Sequence, residues 1–318
     1  MEAPLTDSID FSSFGTLVDT VPRDVTWVWD PYIPDGSLTL LSAFMKVGKS
    51  TFVAPLAVAI ASGSPFMGYP TKGCPVAYIA IEEHVRDVVN RFDSFGAEAV
   101  RDNIYFHSAP VDPTAAIYSQ IKTFIQAKGV GLVILDTLAS WWRVEDENDN
   151  AQVKRAVLPW LAMARETGAA VLLIHHTGKM EQEGGKAIRG ASSLFALVDQ
   201  ALVLRLTPAG KRSTKRVLEV EGRYEQTPAR TVIELGPDDI YRVVSKDGLL
   251  SEAYVASITD ALRQAPEPVS AQALVALTGI TLRQVSRHLR EVPGLITQGK
   301  GVKADPFLYS LPKQLLLP

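Results

Sequence analysis

The stretch from Leu38 to Ala59 limits what this chain can fold into more than any other. An apolar run from Leu38 to Leu41 leads into Ala43-Phe44-Met45-Lys46-Val47-Gly48-Lys49-Ser50, and a second apolar run from Thr51 to Ala59 follows. This is the spacing of a phosphate-binding loop set between a strand and a helix, with Ala43 where the pattern usually begins on glycine. In such a loop the backbone amides and the positive end of the helix dipole face an anion. Gly48 lets the backbone come close to a phosphate. Lys49 is expected to reach the β- and γ-phosphates, and the Ser50 hydroxyl to hold Mg²⁺. Ala43, Lys46, Val47, Gly48, Lys49, Ser50 and Thr51 are therefore the expected nucleotide-binding residues. Lys46 brings positive charge without a specific role.

Three further apolar runs have the unbroken pattern of buried parallel strands. Pro75 to Ile81 ends on Glu82-Glu83-His84, Gly131 to Leu135 on Asp136-Thr137, and Ala170 to Ile174 on His175-His176-Thr177. Chemistry in open α/β sheets sits at the carboxyl ends of the strands. Glu82 there is suited to orient or deprotonate a water, and Glu82 and Glu83 are equally suited to open the next helix. Asp136 is expected to support Mg²⁺ through water. The paired histidines do not read as a metal site, since no further ligand stands at the right spacing. Polar residues ending this strand are expected to face the γ-phosphate.

The aromatic residues Trp27, Trp29 and Tyr32 are candidates to stack on an adenine, and Trp141 and Trp142 on bases of a nucleic acid. Packing is the favoured reading of both groups. Val25 to Trp29 alternates like an edge strand, and Lys215 to Tyr224 with Arg230 to Leu235 alternates like a hairpin at the edge of the sheet. Arg223 lies at the hairpin tip, placed to reach a neighbour's nucleotide or to pair with Glu221 in solvent.

From about Ser251 the texture changes. Ala253 to Gln264, Ser270 to Leu277 and Leu282 to Glu291 read as helices, the last capped by Thr281, and Leu295 to Tyr309 as a hairpin with a basic turn. Three helices and a hairpin make a winged helix-turn-helix. Arg283, Arg287, His288 and Arg290 on its third helix, with Lys300 and Lys303 on the wing, are placed to meet duplex DNA. A winged helix that binds protein is the other reading. The expected division is a loose arm at 1–24, an ATPase domain at 25–250 and a winged helix domain at 251–318.

Composition closes off several classes. Apolar residues make up 47% of the 318-residue chain and charged residues 21%, which suits a globular protein. A formal net charge of -3 excludes a generally basic coat for nucleic acid while leaving room for a local basic face. A single cysteine, Cys74, excludes an intrachain disulfide framework. No apolar run approaches the ~20 residues of a membrane span, and the first residues are unlike a signal peptide, so a cytoplasmic protein is expected.

With these residues placed, Trp27 to Val244 resembles the RecA-like ATPases, and in particular the RepA-type plasmid helicases. The resemblance rests on the loop through Lys49 and Ser50, Tyr78-Ile79-Ala80-Ile81-Glu82, Leu132 to Thr137, Ile174-His175-His176-Thr177 and Arg189-Gly190-Ala191-Ser192. It implies an α/β fold with a RecA-like core and a mostly parallel sheet. It also implies ATP and Mg²⁺ as ligands, with Glu82 as the catalytic glutamate that activates water and His176 as the sensor of the γ-phosphate. Val220-Glu221-Gly222-Arg223 is similar to the segment that supplies an arginine finger to a neighbouring subunit in replicative helicases, so Arg223, or failing it Arg189, is the expected finger. The resemblance further implies a homo-oligomer, with a hexamer as the candidate ring. Single-stranded DNA would lie at the core and duplex at the winged helix, in replication of a plasmid, phage or mobile element. The alternative expectation is an ATP-switched regulatory protein that binds DNA without unwinding it.

Overall fold

The computed structural model describes residues 11–43, 47–142, 144–146, 149–176, 192–207, 213–245, 248–299, 301 and 306–312. In chain order the elements are α1 (Phe14–Thr20), β1 (Trp27–Trp29), β2 (Ile33–Pro34), β3 (Leu38–Ala43), α2 (Lys49–Ser62), β4 (Val76–Ile79), α3 (Val85–Ser94) and β5 (Ile104–His107). Next come α4 (Ala115–Lys128), β6 (Leu132–Leu135), α5 (Leu138–Trp141), α6 (Asn150–Thr167), β7 (Ala170–His176), α7 (Ser192–Leu197) and β8 (Gln200–Leu206). The chain continues through β9 (Lys215–Gly222), β10 (Arg230–Leu235), β11 (Tyr241–Ser245), α8 (Gly248–Gln264), α9 (Ala271–Thr278), α10 (Leu282–His288), β12 (Ile296–Gln298) and β13 (Leu308–Ser310).

Among the described residues, nine strands form one sheet in the order β11-β10-β9-β8-β3-β7-β6-β4-β5. From β8 to β5 every pairing is parallel, and from β8 to β11 every pairing is antiparallel. The runs that read as doubly buried are the central ones: β3, β4 and β6 are buried at every position. Their alternation sorts side chains onto two faces. Leu41, Ile134, Leu172 and Ile174 join a core with α2 and the β1–β2 segment, whereas Leu40, Leu135, Val171 and Leu173 join a core with α5 and α6.

The C-terminal helices cover a third region. Tyr254, Ile258, Leu274, Val285 and Leu289 share a core with Val217 of β9 and Val232 of β10. Thr281 caps α10 as expected, Ser270 caps α9 from just outside the helix rather than opening it, and Gly279 in left-handed conformation ends α9. The helix expected to run to Glu291 stops as α10 at His288 and tightens into a 3₁₀ turn over Leu289–Glu291. Among the described residues no helix is long and apolar enough to cross a membrane.

Several expectations change. Val25 to Trp29 does not edge the large sheet. Trp27–Trp29 instead pairs with Ile33–Pro34 in a small sheet of its own. The cause is aromatic packing: Trp29 and Tyr32, both fully buried, stack at 4.3 Å between centroids, and Trp29 meets Phe52 and Phe66 edge-on. Trp141 is likewise buried against Trp160. The β9–β10 hairpin is not the edge either, because β11 pairs outside it. His288 is buried, stacked on Tyr254 and paired with Glu291, so it does not face outward with Arg287 and Arg290. The arm contains a helix, α1, capped by Ser13 and without a buried residue.

Candidate functional site

The carboxyl ends of β3, β7, β6 and β4 lie side by side in the sheet, and the turns that follow them form the site. β3 ends on Ala43, whose register partner on β7 is His176. Gly48 then adopts φ 112° at the head of α2, a conformation open to glycine and strained for other residues. Lys49 is the first residue of α2, and its side chain folds back over the loop. Its ammonium donates to the Ala43 carbonyl at 3.0 Å and to His176 Nδ1 at 2.5 Å. This leaves the imidazole proton on Nε2.

The period-2 alternation of β7 explains why only one histidine takes part. His176 has the parity of Leu172 and Ile174 and faces the α2 side with Lys49. His175 faces the other side, buried against Trp142 at 5.8 Å between rings. Burial, with His176 and Lys49 adding to it, lowers the His175 pKa to about 4. Burial and then Lys49 also lower that of His176. Burial lowers the Lys49 pKa to about 8, against the pull of Asp136 in the opposite direction.

Asp136 follows β6, beside β4. The hydroxyl of fully buried Tyr78 donates to its Oδ2. Burial raises the Asp136 pKa, the Tyr78 bond lowers it, and the charge of Glu83 raises it again. The peptide that follows, Asp136–Thr137, is cis. After β4 the two glutamates part company. Glu82 is exposed and makes no hydrogen bond among the described residues. Glu83 is half-buried and accepts from Arg91 Nη1 of α3 at 2.7 Å. The Nε and Nη2 of Arg91 are buried without a partner in the structure.

Ser50 is half-buried on the first turn of α2, next to Lys49. The oxygen donors of Ser50 and Asp136 suit a hard divalent cation, which keeps most of its waters. Asp136, with its pKa raised by burial and then by the charge of Glu83, is the kind of carboxylate that such a cation relieves.

Arg223 follows β9 at the opposite end of the sheet. Gly222 is level with Gln200 and Thr39, so Arg223 stands roughly 17 Å along β3 from the loop. It pairs with Asp199 at 3.5 Å rather than with Glu221. Asp199 is the deeper anchor, because a buried carboxylate attracts whatever donors surround it. It accepts from the Leu38 amide at 3.0 Å and from Arg165 at 2.8 and 3.1 Å. Lys46, Thr177, Arg189, Lys300 and Lys303 lie outside the described residues, as does the side chain of Arg283.

Sequence reasoning overlooked Tyr78 and Arg91, although each carries a signal. A tyrosine in an otherwise apolar buried strand needs a partner for its hydroxyl. An arginine three residues after Val88 on a helix shares a face with that apolar residue, which turns its guanidinium toward the packed side. Arg216 and Tyr241, which reach the loop from β9 and β11, carried no such signal.

Comparison with known proteins fits this geometry. Residues 6–182 match the family model described as AAA domain. The DNA repair protein RadA of Halalkalibacterium halodurans is 25% identical over 280 residues, 82% of this chain and 54% of that protein. The RadA of Brucella abortus is 25% identical over 226 residues, 62% of this chain and 45% of that protein. The chain thus spans about half the length of the curated relatives it matches. Among solved structures, a KaiC-like protein from Pyrococcus horikoshii OT3 superposes with a TM-score of 0.50 at 20% identity, over 69% of this chain and 94% of that one. This last likeness is one of fold alone.

Proposed function

The chain belongs to the AAA domain family of P-loop ATP hydrolases, and from that premise we propose that it is an oligomeric, Mg²⁺-dependent ATPase acting on DNA, of the RepA-type helicase or helicase-related kind. The observation that carries the reading is the convergence of Lys49, His176 and Asp136 at the ends of three neighbouring parallel strands. In this reading the loop amides and Lys49 hold the phosphates. Ser50 and Asp136 would hold Mg²⁺, which when bound neutralises charge on the β- and γ-oxygens. Glu82 accepts a proton from the water that attacks the γ-phosphate, as the P–O bond to the leaving ADP breaks. His176, bonded to Lys49, feels the arrival and loss of the γ-phosphate. Arg223, remote from its own loop, acts on a neighbour's site.

The DNA part of the proposal has two supports. Two relatives carry the name DNA repair protein. We read the elements α8 to α10 with β12 and β13 as a winged helix, and Arg287 and Arg290 on them are exposed. We assign the arm to 1–24, the ATPase core to 25–250 and the winged helix to 251–318. Glu83 is a second candidate for the base, because it is the glutamate whose charge Asp136 feels.

The test is ATP turnover with and without single-stranded DNA, over a range of protein concentration, for wild type, Glu82→Gln and Glu83→Gln. Turnover that rises with DNA and steeply with concentration, and falls about 10³-fold in Glu82→Gln, is expected. A loss confined to Glu83→Gln would move the base to Glu83. Slow turnover indifferent to DNA and concentration would sink the motor and leave an ATP-dependent switch.

A further inference from the structure

Two side chains from the antiparallel flank of the sheet converge on one backbone carbonyl of the phosphate loop. Arg216 of β9 donates from Nε to the Val47 oxygen at 3.0 Å. The hydroxyl of Tyr241, from β11, lies 3.5 Å from the same oxygen. Val47 and Tyr241 are both buried, and Arg216 is half-buried. The Nη1 of Arg216 also donates to the Ser213 and Lys215 carbonyls, at 2.5 and 2.8 Å, which ties the start of β9 to the loop. The same tyrosine closes over the next residue: a Cβ added to Gly48 would lie 2.5 Å from its Oη. Alternation along β9 puts Arg216 and Leu218 on the α2 face and Val217 among the C-terminal helices.

We propose that Arg216 is a positioning residue for the nucleotide, with Tyr241 as its helper. A peptide group is planar, and its N–H points opposite to its C=O. Holding the Val47 oxygen therefore fixes the direction of the Gly48 N–H, one of the loop amides expected to face the phosphates. The donor is charged, which makes the bond a strong one and polarises the peptide so that its N–H donates better. Neither residue touches the reacting atoms. The effect falls on binding, because a loop already held in its bound form loses less freedom when the nucleotide arrives.

The inference rests on the phosphate-loop reading, and the two can fail separately. Lys49→Ala abolishes binding if the loop holds the nucleotide at all, whereas the Arg216 variants only weaken it. The experiment titrates the full chain with a fluorescent ADP analogue and measures ATP turnover at saturation. Arg216→Ala is expected to raise Kd about tenfold with kcat within about twofold of wild type, and Arg216→Lys, which keeps one donor toward Val47, to raise Kd about threefold. Arg230→Ala serves as control, since Arg230 pairs with Glu219 at 2.9 Å on the neighbouring strand and its Kd should not move. An unchanged Kd in Arg216→Ala overturns the proposal. An equal rise in Arg230→Ala also overturns it, because it would show general loosening of the flank. So does a tenfold loss of kcat at unchanged Kd. If Arg216→Ala does not fold, Arg216→Lys decides: a Kd equal to wild type overturns the proposal.

Discussion

Lys49 is the residue on which the electrostatics of the site turn. Burial disfavours its charge, Asp136 favours it, and the balance leaves a pKa of about 8 instead of the usual value above 10. A polyphosphate needs the charged form. Below pH 8 the ammonium is already present; above it, binding must take up a proton. The Kd for ADP is therefore expected to stay flat to about pH 7.5 and to rise by roughly tenfold per unit well above pH 8. Lys49→Arg should flatten the profile, since a guanidinium does not titrate there. Titrations of wild type between pH 6.5 and 9.5 check this, and a Kd flat to pH 9.5 would refute it. Stability of the free protein moves the other way. A folded pKa below the unfolded one means the unfolded chain binds more protons between pH 8 and 10.5. The contribution of Lys49 to stability therefore rises with pH across that window.

At the scale of elements, the two ends of the parallel sheet do different work. The carboxyl ends carry the site. At the amino ends Asp199, buried before β8, ties β3 through the Leu38 amide and α6 through Arg165. Asp199→Ala would leave a buried N–H without an acceptor and is expected to cost about 3 kcal/mol, read from the denaturant midpoint, with Asp199→Asn costing about half as much. Arg223 touches the same carboxylate, but its side chain is 67% exposed and the pair is long at 3.5 Å. Arg223→Ala should cost under about 1 kcal/mol of stability. If Arg223 completes a neighbour's site, the same variant lowers DNA-stimulated turnover by about 10³-fold or more. Normal turnover in a stable Arg223→Ala protein would end its role as a finger.

Across the whole molecule, the C-terminal helices are not a separate bead. Ile258 and Tyr254 share their core with Val217 and Val232, which belong to the same sheet that holds the phosphate loop. Loss of that packing should be felt by the sheet. Ile258→Ala is expected to cost about 2–4 kcal/mol and to shift a single unfolding transition followed both by far-UV circular dichroism and by release of bound nucleotide. Two transitions, with nucleotide release following only the unaltered one, would show that the helices fold independently of the ATPase sheet.

What the residues alone determined is local. The apolar runs from Leu38, Val76, Leu132 and Ala170, each short and closed by polar or turn residues, have the pattern of strands covered on both faces. The glycine and lysine at 48 and 49 demand a loop before a helix, and Asp136 and His176 sit at strand ends whatever their neighbours are. Ser270, Thr281 and Gly279 mark helix ends through their own backbone chemistry. Only the tertiary structure decided which strands adjoin. Strand order set His176 beside Ala43, brought Glu83 rather than Glu82 to the field of Asp136, and placed Arg223 at the far end from its own loop. It also carried Arg216 and Tyr241 across some 170 to 190 residues of sequence to the carbonyl of Val47. A pairing between distant segments leaves no periodicity or spacing in either one, because it depends on the closure of the sheet and not on any neighbour in the chain.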